Sequence, residues 1–287
     1  MGRPDPGSAF WTLIAPYTGA ISAVRHAERG YSSDVTAIVK CAAGPVFLKA
    51  VREPSPHSSS FAREAQINPY VRSVSPALRW RLHQHGWIVL AFDVAPGRYA
   101  DFAPGSPDLP AVVAAVNAIG VIDCPDLASN WLETRWDRFT DQVSRFAGDA
   151  LLYTDINPDN LIMSSGGTAV VDWSWPTRGA GFIDPACMVV QLIAAGHTAA
   201  GAERWAQRCT AWQSADSGAI DAFATATVRM YRHFENRDPS PWRKAMTQAA
   251  ATWATHRSMS GQPRHVPAAT CRDRWPSATC WTGWQSR

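Results

Sequence analysis

Three oxygen-bearing side chains stand at spacings that suit a metal-assisted reaction: Asp155, Asn160 five residues further on, and Asp172. Two short apolar runs, 161–163 and 169–171, separate the last two and flank Ser164-Ser165-Gly166-Gly167. That pattern predicts a hairpin of two short strands. A hairpin returns on itself, so Asn160 and Asp172, at its two ends, are expected to converge near Asp155. Mg²⁺ prefers hard oxygen ligands and often completes its shell with substrate phosphates. A hydroxyl that accepts a phosphoryl group needs a carboxylate beside it. Together these residues suit magnesium-assisted phosphoryl transfer, with Asn160 and Asp172 on the metal and Asp155 at the acceptor. An Asp-x-x-x-x-Asn loop alone is common; the weight comes from its junction with the hairpin and with Asp172.

Such a site needs a scaffold, and the upstream sequence supplies strands. Residues 1–20 read as a flexible lead-in with a short apolar patch at 10–14. From Ile21 the pattern turns to strands over 21–24, 35–39 and 46–51. Gly30-Tyr31-Ser32-Ser33-Asp34 separates the first two, and a strand, loop and returning strand can lay backbone N–H groups over triphosphate oxygens. The loop has one glycine, and read alone it is equally an ordinary hairpin turn. Lys49, one of three lysines with Lys40 and Lys244, sits in the strand 46–51 with apolar residues on both sides. An ammonium there must find anionic partners or suffer a large desolvation cost. A helix is expected over 61–68, N-capped by the run Ser58-Ser59-Ser60, and it carries Glu64. The alternative makes Lys49 an edge-strand solubilising charge and Glu64 a solvated helix residue. A further apolar run, 87–94, breaks at Ala95-Pro96-Gly97.

The segment around Asp155 resembles the catalytic loop and metal-binding aspartate of the aminoglycoside phosphotransferase and choline kinase group, relatives of protein kinases. Their pattern is His-Gly-Asp-x-x-x-x-Asn, an apolar hairpin, then Ile-Asp-Trp or Ile-Asp-Phe. Thr154-Asp155, Asn160 and Val171-Asp172-Trp173 fall on it, while Tyr153 stands where the group has histidine. The resemblance implies an α+β, two-lobed protein-kinase-like fold. It divides the chain into an N-lobe over 1–95, a small antiparallel β-sheet with one helix, and a larger, mainly helical C-lobe over 96–260. The cofactors implied are ATP and Mg²⁺. Lys49 would contact the nucleotide phosphates and pair with Glu64, and the loop residues Ser32 and Ser33 would lie over the phosphates. The backbone near Phe92 and Val94 would hold adenine at the hinge between lobes. Asn160 and Asp172 would bind the metal, and Asp155 would orient the acceptor hydroxyl and take its proton. Asp184 would brace the catalytic loop by accepting backbone hydrogen bonds; without the resemblance it reads as a helix N-cap before 186–195.

The rest of the chain bounds the alternatives. A net charge of +3 is too small to imply nucleic-acid binding, with no basic stripe interleaved with aromatics, so no nucleic-acid partner is expected, and no apolar run reaches the ~18 residues of a membrane span. The first residues lack the apolar core of a signal peptide, and Gly2 is a poor case for myristoylation, so a cytoplasmic protein is expected. Six cysteines lack metal-ligand spacing and read as reduced, buried residues; a Cys271–Cys280 bridge is the minor alternative. Helices are expected at 111–116, at 127–146 with Trp131, Trp136 and Phe139, and over 197–260, which would wall the acceptor pocket. The tail 261–287 lacks periodicity and reads as poorly ordered or docked through its tryptophans. Residues 186–287 carry twelve Lys and Arg against six Asp and Glu, a basic balance that disfavours a polycationic aminoglycoside. A neutral or anionic hydroxylated small molecule is the expected partner. The competing reading is a catalytically weak or inactive nucleotide-binding protein of the same fold. A protein acceptor has less support, since no Ala-Pro-Glu segment follows Asp172. The sequence leaves the oligomeric state open.

Overall fold

Alternating apolar residues near the amino terminus build the first part of the structure, a computed structural model that describes residues 6–27 and 33–260. The described residues fall into two compact units. One holds those up to Tyr99 together with Asp159–Pro176; the other holds Ala100–Pro158 and those from Thr177 onward.

The first unit begins with helix α1 (Ser8–Thr18), followed by strands β1 (Ile21–His26), β2 (Val35–Cys41) and β3 (Val46–Arg52). Helix α2 (Ser58–Ile67), β4 (Leu78–Gln84) and β5 (Trp87–Asp93) complete its sheet, antiparallel throughout in the order β1-β2-β3-β5-β4. Side chains alternate across a strand, so β2 and β3 send Val35, Ala37, Val39, Val46, Leu48 and Ala50 to one face. Phe10 and Ile14 of α1 close that face, at 1% and 0% exposure, and each such burial is worth about 1.5–3 kcal/mol. The lead-in expected to be flexible is therefore helical from Ser8 to Thr18, because its apolar patch has a sheet face to cover. Val51, Leu90 and Phe92 line the opposite face with Phe47, against Phe61 and Ala65 of α2. Lys49, two residues from both Phe47 and Val51, shares this α2 face. A strand covered on both sides explains why Lys49 has only apolar neighbours in its sequence from Val46 to Val51.

Strand β4 was not among the expected strands, although its signal is present. His85 and Gly86, with φ of 50° and 72°, form the two-residue left-handed turn that joins adjacent antiparallel strands. Beyond β5, Val94 to Gly97 leads into the short strand β6 (Arg98–Tyr99). This pairs with β8 (Leu161–Ser164), itself paired with β9 (Gly167–Val170). Val170 N–H also donates to Val74 O at 2.7 Å. These bonds put 159–176 with the N-terminal unit.

The second unit contains α3 (Leu109–Gly120), a two-stranded ribbon of β7 (Ala150–Leu152) and β10 (Thr177–Gly179), and α4 (Ile183–Ala194). It continues with α5 (Ala199–Ala206), α6 (Thr210–Gln213), α7 (Ser217–Arg237) and α8 (Pro241–Ser260). Phe223, fully buried, packs against Trp136, Phe146, Phe182 and Trp253 at ring separations of 4.6, 5.4, 5.8 and 6.4 Å. The helix expected over 127–146 is absent: short 3₁₀ turns at Asp126–Ala128, Asp137–Phe139 and Val143–Phe146 take its place. Its backbone is committed elsewhere, with Arg178 N–H donating to Trp131 O and Glu133 N–H to Arg178 O at 2.7 and 2.9 Å. Cys271 and Cys280, the pair of the minor disulfide alternative, and the tail lie outside the described residues. Among the described residues no helix is long and apolar enough to cross a membrane.

Gly97 fixes the β6–β8 approach. Its φ is 133°, and a Cβ there would lie 2.2 Å from Met163 O. Gly97→Ala should therefore destabilise the protein by about 3 kcal/mol or more, read as a lowered denaturant midpoint in a urea titration.

Candidate active site

Lys49 is 5% exposed, and a lone ammonium so placed would be strongly penalised. Its Nζ instead donates to Glu64 Oε2 at 2.8 Å and to Asp172 Oδ1 at 2.9 Å, and lies 5.9 Å from the centre of the Phe61 ring. The pleat of β3 turns Lys49 toward α2, where the helix presents Glu64. Burial works against the ammonium, but the two carboxylates outweigh it and hold its pKa above the usual lysine range. For Glu64 burial wins and its pKa is raised, with Lys49 opposing. Burial also acts on Asp172, but Lys49 and the Ser174 hydroxyl, which donates to Oδ1, lower its pKa. Asp172 is the outward member of this triad, its side chain 31% exposed against 4% for Glu64.

The hairpin sets where Asp172 stands. Leu161 pairs with Val170, and Val171 N–H donates to Asn160 O at 2.9 Å, so the two ends meet as expected. Asp172 then turns into the left-handed region at φ 62°. On the same unit, the Arg63 guanidinium of α2 lies 5.7 Å from the Trp175 ring, a second tie between that helix and the segment after Asp172. Among the described residues no group of three His, Cys, Asp or Glu side chains forms a metal cage. The donor chemistry of Asn160 and Asp172, one amide and one carboxylate oxygen, fits a small hard cation that shares its shell with phosphate oxygens.

In the second unit Asp155 is half-buried and follows Thr154, a β-branched residue at φ 63°. That conformation costs on the order of 1–3 kcal/mol and persists only where its surroundings over-determine it. Asp184 supplies much of that constraint, its Oδ2 and Oδ1 accepting from Tyr153 and Thr154 N–H at 3.0 and 2.6 Å. It is therefore no N-cap; α4 starts one residue before it, at Ile183, without a side-chain cap. Burial pushes the Asp184 carboxyl up to about 6, against the pull of both N–H groups and of Arg135. The Thr154 hydroxyl donates to Tyr153 O at 2.7 Å and accepts from Arg135 Nη2. Asn157 Nδ2 donates to Asp155 Oδ1 at 2.9 Å.

The structure thus brings Lys49, Glu64, Asp172 and Asn160 together in one unit, and assigns Asp155 to the other. Ser33 is buried, with an Oγ that meets no hydrogen-bond partner among the described residues, and Ser32 lies outside them. Phe92 is buried on the α2 face of β5, and Val94 directly follows that strand. The serine run expected to cap α2 lies inside its first turn, with His57 at the cap position. Sequence reasoning missed Arg135, Glu133, Asn157 and Ser174. For Ser174 and Asn157 the signal was proximity, each two residues from a named carboxylate.

No protein-family model and no curated protein matches this chain. Solved structures do. A thermostable mutant of aminoglycoside phosphotransferase APH(4)-Ia, solved with AMP-PNP and hygromycin B, superposes at a TM-score of 0.59 and 13% identity. That match covers 86% of this chain and 99% of the other. Amicoumacin kinase hAmiN, in complex with AMP-PNP, Ca²⁺ and Ami, gives 0.58 at 11% identity over 90% and 95%. Choline kinase LicA from Streptococcus pneumoniae gives 0.58 at 10% over 86% and 98%. The fold of this chain is the protein-kinase-like α+β fold: a five-stranded antiparallel sheet among the described residues, with a helical C-terminal region.

Lys49→Met should destabilise the protein by about 3–5 kcal/mol by stranding Glu64, whereas Lys49→Met with Glu64→Leu should recover most of it; urea denaturation of both variants reads this. The Asp184 sign is the opposite of the usual carboxylate. Its folded pKa, about 6, exceeds the unfolded 3.8, so its contribution is full below about pH 4 and lost as pH rises through 6. The loss is of order 3 kcal/mol. Thermal unfolding at pH 5 and pH 7.5 should show a smaller pH dependence for Asp184→Asn than for the parent.

Proposed function

We propose that this protein is an ATP-dependent phosphotransferase that moves the γ-phosphoryl group to a hydroxyl of a small molecule. The observation that carries the reading is the buried Lys49–Glu64–Asp172 triad, an ammonium held by an interior carboxylate and shared with an outer one beside Asn160. Lys49 holds the α- and β-phosphates, and Glu64 keeps its ammonium in place. Asn160 and Asp172 hold Mg²⁺, which when bound neutralises charge on the phosphates as the γ-phosphoryl group departs. Asp155 orients the acceptor hydroxyl and takes its proton; with a loose transition state that proton moves late, and the carboxylate chiefly aligns the oxygen. The fold shared with phosphotransferases solved in complex with AMP-PNP supports a nucleotide site.

The acceptor we propose is neutral or anionic. The basic balance of residues 186–287 supports this.

The test is ADP release with Mg²⁺ and ATP across a panel of sugars, nucleosides, anionic hydroxylated compounds and aminoglycosides, with Asp172→Ala as control. Asp155→Asn should lower turnover by on the order of 10²-fold or more while nucleotide affinity stays near that of the parent. Equal turnover would remove Asp155 from its role. Nucleotide binding without ADP release for any acceptor favours a non-catalytic protein, and turnover confined to aminoglycosides overturns the acceptor class.

A further inference from the structure

We infer that Arg135 is the positioning residue of the loop that carries Asp155. Its guanidinium, fixed by Glu133, holds the Thr154 hydroxyl in its left-handed turn and brings a positive charge to bear on the Asp155 carboxylate. The inference rests on the role proposed for Asp155 in phosphoryl transfer.

The geometry is specific. Arg135 Nε donates to Glu133 Oε1 and Oε2 at 3.0 and 3.1 Å, Nη2 adds a bond to Oε2, and the Arg135 backbone N–H donates to Oε1 at 2.8 Å. Thr177 Oγ1 of β10 donates to Glu133 Oε2 at 2.7 Å, which ties the anchor to the ribbon. The Arg135 guanidinium also lies 5.2 Å from the centre of the Trp136 ring. Glu133 is 1% exposed at its side chain and Arg135 25%, so the fork is fixed from the inside and reaches outward to Thr154. A planar guanidinium suits that task; a lysine ammonium would offer charge without the fork.

The division of labour follows from which atoms are gripped. Asp184 takes main-chain N–H groups and would hold any residue at 154. Arg135 takes a side-chain oxygen and so acts on threonine itself, the residue whose branched side chain makes the turn costly. Charge gives a second reason. Among the groups that bear on Asp155 are Arg135, Asn157 through a hydrogen bond, and Cys187 of α4. Asp184 and Glu133 act on the same Arg135 and Cys187. Like charges gathered in one site disfavour ionisation, and an opposite charge restores it. Of these groups Arg135 brings the positive charge, and Asp155 must be ionised to align a hydroxyl.

The experiment follows the Asp155 carboxyl by NMR titration in the parent, Arg135→Ala and Arg135→Lys, with ADP release and ADP binding measured in parallel. In Arg135→Ala the Asp155 titration should move to higher pH, and ADP release should fall by on the order of 10²-fold with ADP affinity unchanged. Guanidinium ion added to that variant should restore part of the activity. Arg135→Lys should keep the titration near that of the parent yet lose about tenfold in ADP release. An unmoved Asp155 titration in a folded Arg135→Ala overturns the inference, whatever the activity. Should Arg135→Ala fail to fold, parental ADP release by Arg135→Lys overturns it instead. A parent that neither binds ADP nor releases it sinks the phosphotransfer reading, and the titration still decides the role of Arg135.

Discussion

A lysine ammonium inside a strand covered on both faces is the constraint from which much of the first unit follows. It can persist only with anions beside it, and the chain provides one from α2 and one from the end of a distant hairpin. Glu64 must then face the sheet, which fixes the rotation of α2. Asp172 must return to β3, which fixes the hairpin, and β6 and Val74 hold that hairpin through backbone pairing. Two carboxylates around one ammonium leave a negative balance, carried on the outward member. Burial of such a group is poor value for stability alone, since well-packed apolar side chains of similar volume commonly do as well. Under the proposed function the same triad also holds an outer carboxylate beside Asn160 for a cation.

The second unit spends stability in a different way. Asp184 is buried and ionised at neutral pH against its own solvation, in order to hold two main-chain N–H groups. Those bonds support a backbone conformation that threonine adopts reluctantly. Left-handed backbone also occurs at Asp172, so strain falls on one residue to which chemistry is assigned and directly before another, Asp155. Helices α7 and α8, with the rings around Phe223, supply the surplus that such local costs draw on.

Much of this was legible in the sequence where the pattern is local. The hairpin around Ser164 to Gly167 announced the meeting of Asn160 with the residue before Asp172, and the position of Lys49 among apolar neighbours announced a buried charge. Three failures have a physical cause. Residues 8–18 have no side-chain N-cap and carry Pro16 inside the helix, and their helix follows from the sheet face that Phe10 and Ile14 cover. Residues 127–146 carry Trp131, Trp136 and Phe139 near one face of a would-be helix, but β10 captures the backbone at Trp131 and Glu133. Glu133-Thr134-Arg135 carries no spacing that distinguishes it from a surface ion pair; its meaning comes from Thr154, nineteen residues away. Asp184 was placed correctly by resemblance, whereas capping logic alone misassigned it.

The interleaving of the two units has a consequence for how the protein comes into being. Lys49 meets one of its anions from a helix fifteen residues downstream, and the other after 123. At synthesis rates of 5–20 residues per second, the wait for Asp172 to be made is roughly 6–25 s. During that interval the nascent sheet can bury its lysine against Glu64 alone. Neither unit is a continuous stretch of chain, so the N-terminal one cannot be finished on the ribosome until part of the other has already emerged.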